Sequence, residues 1–141
     1  LRADVADERP LARPLGAART LAPGSRAALF AWGGALAPAL AAAAAVGDVE
    51  VIDLGGLAPL DLPGVAAAAA RSGKVVVAHP GGAALLAAEV AAAVADLAVL
   101  HLDAPVLRVS GAEPPLTYPA EAAALPAVEA IAQALHRVIT Y

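Results

Sequence analysis

The chain has 141 residues, is 60% hydrophobic yet 3% aromatic, and carries a net charge of -4 from 9 basic and 13 acidic residues. That length fits one domain and excludes a large multidomain enzyme, while the acidic balance, with Lys74 as the sole lysine, argues against nucleic-acid binding. With no cysteine, disulfides, thiolate catalysis and thiolate-held metals are excluded.

Residues 1–16 read as a linker or N-terminal arm, punctuated by Arg9-Pro10 and Arg13-Pro14, and residues 17–141 as one α/β domain. Ala17–Leu21 is a short strand, followed by the turn signal Pro23-Gly24. Ala27–Trp32 is a buried strand and Leu36–Val46 a helix, with Pro38 tolerated in its first turn. The uncharged run Ala27–Gly47 is long enough to cross a bilayer, but Gly33-Gly34 and Pro38 interrupt it, and it divides into that strand and helix. Val49–Leu54 is the clearest strand, carried by β-branched Val49, Val51 and Ile52. Pro63–Ser72 is a helix entered through Asp61 and closed by Gly73. Val75–Ala78 is a fully apolar strand of the kind found at a sheet centre. Ala83–Ala95 is a helix, Pro105–Val109 a strand, and Ala127–Val138 a last helix after a loop holding Pro114, Pro115 and Pro119. Strands alternating with alanine-rich helices predict a mainly parallel sheet covered on both faces.

Candidate chemistry is sparse. Glycine pairs follow three predicted strands, at Gly33-Gly34, Gly55-Gly56 and Gly81-Gly82, where α/β sheets bind ligands, but tight turns alone account for them. His79 lies directly after the central strand, a place suited to proton transfer or hydrogen bonding, but with no nucleophile nearby in sequence it reads first as a structural or interface histidine. His101 and Asp103 are too few for a metal site. His136 suits the end of the last helix, Asp61 suits a helix N-cap, and Glu89 is assigned to a solvent-facing helix position. No serine or threonine stands in a nucleophile motif. From the residues alone this is a packing and assembly domain, with a small-ligand site at the glycine-pair edge as an open alternative.

The order of segments carries a resemblance. ARTLAPGS (Ala18–Ser25) leads to ALFAWGG (Ala28–Gly34), VEVIDLGGLAPLD (Val49–Asp61), RSGKVVVAHPGG (Arg71–Gly82), AAEVAAAVAD (Ala87–Asp96), LDAPVLRVSGAEPP (Leu102–Pro115) and LPAVEAIAQAL (Leu125–Leu135). Together these resemble the C-terminal domain of transketolase-like, thiamine-diphosphate-dependent enzymes, closest to the beta subunit of the 2-oxoacid dehydrogenase decarboxylating component. The family continues VIDL with Arg-Thr, where this chain has Gly55-Gly56, and has His-Glu where it has His79-Pro80. These departures imply altered docking or a divergent member.

The resemblance implies a three-layer α/β/α sandwich around a mixed five-stranded sheet, with Ala17–Leu21 as a candidate antiparallel strand. It implies no catalytic, cofactor or metal ligand in this segment. Thiamine diphosphate and magnesium belong to other parts of the complete enzyme. The expected partners are other domains or subunits of that enzyme in a homo- or hetero-oligomer, and the acyltransferase core of a dehydrogenase complex. Neither nucleic acid nor membrane is expected, and the expected location is cytoplasmic. The candidate interface or active-site-proximal residues are His79, Gly81, Gly82, Gly55, Gly56, Arg137 and Tyr141. The chain holds no methionine, even at position 1, which suggests a piece of a larger protein whose cofactor lies elsewhere. The competing expectation is a non-catalytic interaction module.

Overall fold

The computed structural model describes residues 16–81, 85–112 and 124–141. Five strands form one sheet in the order β1-β3-β2-β4-β5, where β1 is Arg19–Ala22, β2 Ala27–Ala31, β3 Val49–Asp53, β4 Val75–His79 and β5 Leu107–Ser110. The strand β1 runs antiparallel to β3, and the other three pairings are parallel, so the sheet is mixed as expected. Helices α1 (Leu36–Val46), α2 (Leu62–Ser72), α3 (Leu85–Ala98) and α4 (Val128–Ile139) cover both faces.

Period-two alternation in the central strand divides the core into two layers. Ala27, Leu29 and Ala31 of β2 join Val49, Val51, Val76 and Ala78 beneath α1 and α4, where Ile131, Leu135 and Val138 close the layer. Ala28 and Phe30 join Ile52, Val75 and Val77 beneath α2 and α3, against Val65, Val90 and Val94. Alanine serves this geometry twice, since it favours helix and lets the helix backbone lie close to the sheet. Ala39, Ala42 and Ala43 face inward on α1, and Ala68 and Ala69 on α2.

Local chemistry sets the ends of α2. The Asp61 carboxylate accepts from the Gly64 amide at 2.9 Å, Pro63 occupies the first turn, and Gly73 closes the helix in the left-handed region at φ 66°. The same carboxylate accepts from the Ala18 amide at 2.9 Å. The predicted strand Ala17–Leu21 therefore starts two residues late, at Arg19, because Ala18 donates to a side chain instead of the sheet. Strand β5 begins at Leu107 rather than Pro105, since proline offers no amide to the ladder. Trp32 and Leu54 lie just outside β2 and β3, and α4 starts at Val128 with Ala127 as its N-cap. No breaker stands between Ala95 and Ala98, so α3 runs three residues further than predicted. Ala83 and Ala84, the arm before residue 16 and the three prolines after Gly111 lie outside the described residues. Among the described residues no helix is long and apolar enough to cross a membrane.

Candidate functional site

Connectivity places a crevice at the carboxyl ends of the central strands. From β2 the chain passes through α1 to β3 on one side, and from β4 it passes through α3 to β5 on the other, with α1 and α3 on opposite sheet faces. Adjacent strands whose connections diverge in this way open a cleft where α/β proteins bind ligands.

His79 and Trp32 meet there. His79 is the last residue of β4, not the first residue after it. Ala31 pairs with Ala78, so the next residues, Trp32 and His79, are cross-strand neighbours. Their rings stack at a centroid separation of 5.7 Å and an interplanar angle of 14°. The His79 side chain is 1% exposed. Its Nδ1 lies 3.2 Å from the Pro80 carbonyl oxygen, and since that oxygen only accepts, Nδ1 carries the proton. Burial pushes the pKa below the ordinary 6.5, the carbonyl opposes this, and the Arg108 charge lowers it further. The result is a neutral, fixed imidazole.

On the side away from Trp32, β5 runs beside His79. The register pairs Val77 with Arg108 and His79 with Ser110, which places Arg108, Ser110 and His79 on one sheet face. These three residues, with Val106 and Leu107, line an open depression of about 300 Å³. The Gly81 amide donates to the Ala124 carbonyl at 2.6 Å, and a Cβ on Gly34 would lie 2.7 Å from a Leu125 methyl, so the start of the last segment closes over this edge.

The other candidates are not gathered here. Gly55 and Gly56 follow β3, on the far side of β2, and pack against Ala17 and Gly16 ahead of β1. Asp53 satisfies that turn by accepting from the Gly55 amide at 2.9 Å. Arg137 and Tyr141 are exposed at the C-terminal end of α4, at the opposite sheet edge from His79. Lys74 fixes that placement: it directly precedes β4, and its Nζ donates to the Ile139 carbonyl at 2.8 Å. Gly82 lies outside the described residues. Glu89, His101, Asp103 and His136 are exposed, and among the described residues no three His, Asp or Glu side chains form a group able to hold a metal.

Two features escape a reading of local sequence. One is the Trp32–His79 stack. The other is Glu50, 7% exposed within β3, which takes two bonds from the Arg71 guanidinium at 2.8 and 3.0 Å and one from the Thr20 hydroxyl at 3.0 Å. An acid flanked by apolar strand residues signals a buried carboxylate in need of a partner.

Comparison with known proteins matches this architecture. The profile of the family described as "Transketolase, C-terminal domain" matches residues 16–131. The chain is 38% identical over 141 residues to the pyruvate dehydrogenase E1 component subunit beta of Leifsonia xyli, covering 95% of this chain and 41% of that protein. It is 35% identical to the protein of the same name from Rhizobium meliloti, covering 89% and 29%. With the 2-oxoisovalerate dehydrogenase subunit beta of Pseudomonas aeruginosa it shares 34% identity, covering 89% and 37%. The chain thus spans less than half the length of these relatives. A solved structure described as a split gene transketolase, an inactive beta4 tetramer, superposes with a TM-score of 0.70 at 24% identity, covering 93% of this chain and 44% of that one.

Proposed function

Because the chain belongs to the transketolase C-terminal domain family, we propose that it is the C-terminal assembly domain of a thiamine-diphosphate-dependent 2-oxoacid dehydrogenase beta subunit. The observation that carries this reading is 38% identity across 95% of the chain to such a subunit. The proposed reaction is oxidative decarboxylation of a 2-oxo acid, and thiamine diphosphate supplies the electron sink for it when bound. A magnesium diphosphate needs a set of oxygen ligands. On this reading the cofactor and its magnesium are held by other parts of the enzyme.

This domain then contributes rigidity and contact surface. The strand-end loops around Gly55-Gly56 and Gly81 face neighbouring domains or subunits. The exposed Arg137 and Tyr141 at the other edge form the candidate surface for the acyltransferase core.

The test is co-expression of the full-length gene product with its partner subunit, followed by copurification and dye-linked oxidation of short 2-oxo acids with and without thiamine diphosphate. The expected result is a stable assembly with cofactor-dependent activity. A stable assembly with no activity on any 2-oxo acid would favour the alternative, a non-catalytic interaction module, and overturn the enzymatic part. Failure to assemble would overturn the assembly role.

A further inference from the structure

The depression beside His79 has features that the assembly role leaves unused. Arg108 and Ser110 stand two residues apart on β5, on the same face as His79, at the carboxyl edge of the parallel part of the sheet. Both β5 side chains are exposed at their strand positions. Among the described residues Arg108 makes no ion pair or side-chain hydrogen bond, whereas Arg71 pairs with Glu50 at 2.8 Å and Arg19 with Asp53 at 3.6 Å. Val106 and Leu107 also line the depression.

We propose that Arg108, Ser110 and His79 form a binding site for a small oxyanion, a carboxylate or a phosphate group. The guanidinium presents a planar fork that matches two oxygens of either group. The Ser110 hydroxyl donates a further bond from the adjacent strand position. His79, fixed by Trp32 behind it and by the Pro80 carbonyl, forms the floor and brings no second cation to be neutralised. A depression of about 300 Å³ has room for an anion bearing a few carbon atoms. The site does not depend on the enzymatic reading above, since all three residues belong to this chain.

Trp32 is the only tryptophan of the chain, and it stacks on the floor of the site, so its fluorescence reports occupancy. The experiment titrates the chain at constant ionic strength with inorganic phosphate, with 2-oxobutanoate and with chloride as the non-specific control. Saturable change with phosphate or 2-oxobutanoate, and none with chloride, is the expected result, and the arm that saturates first identifies the anion class. Arg108→Gln should weaken that binding at least about tenfold, the loss of one charge-assisted pair, and Ser110→Ala severalfold. Arg108 is exposed, so circular dichroism of the variant should match that of the parent. A linear response, an equal response to chloride, or unchanged affinity in Arg108→Gln would overturn the proposal.

Discussion

At His79, burial and the Arg108 charge both lower the pKa below 6.5, and the sign of the consequence follows from linkage. In the window between the folded pKa and 6.5 the unfolded chain binds more protons than the folded one, so stability rises with pH there. Stability is therefore fully present above 6.5, declines as the pH falls through that value, and levels off below the folded pKa. His101 and His136 are exposed and are retained in a His79→Gln variant, which isolates the effect. Urea unfolding between pH 5 and 8 should show the parent losing stability relative to His79→Gln as the pH falls. Parallel profiles would mean that the buried ring does not titrate with folding. Asp61 shows the opposite kind of residue, legible in advance. Its capping partner Gly64 is three residues away, and that local geometry is written in the spacing, whereas its second bond, to Ala18, spans 43 residues and is not.

At the scale of elements, helices and strand centres were legible because their causes are local. Alanine runs, the Asp61 and Gly73 caps and the apolar run at Val75–Ala78 act within a turn or a strand. The strand ends were less legible, because pairing with a distant neighbour decides which amides join the ladder. The candidate site was legible only in part: His79 stood out beside its Pro-Gly turn, but Trp32 reaches it through register between β2 and β4, which are not consecutive, and Ser110 through the pairing of β4 with β5 across the intervening α3. The turn before β2 shows how tightly such neighbours meet. A Cβ on Gly24 would run into the backbone of Val49 and Glu50 in β3. Backbone atoms cannot rotate away as side chains can, so β3 or the turn must move. Ser25 next door is held in place by Asp48, whose carboxylate accepts from its amide at 3.0 Å and its hydroxyl at 2.7 Å. Gly24→Ala should therefore cost about 1–3 kcal/mol, as overpacking does, read as a lower urea midpoint. A change below about 0.5 kcal/mol, the usual scale of a surface substitution, would mean that the turn yields freely.

Across the whole molecule, two small-residue layers share one sheet. Among the described residues, apart from Phe30, the fully buried side chains are no larger than leucine or histidine, and many core positions are alanine. Each contributes little, so the few large residues carry a disproportionate share of the burial. Leu29 and Phe30 sit side by side on β2 and point into opposite layers. If the sheet makes one cooperative unit, a cavity in either layer must weaken both, because β2 pairs with β3 and β4 on its two sides and cannot leave one layer while remaining in the other. Leu29→Ala should cost about 2–5 kcal/mol, a large fraction of the roughly 5–15 kcal/mol typical of a domain. Trp32 packs against the opposite layer and reports that layer by fluorescence, while far-UV circular dichroism reports all four helices. The two urea transitions should shift together and stay coincident in the variant. A Trp32 transition left at the parental midpoint while the helical signal moves would show that the layers unfold separately.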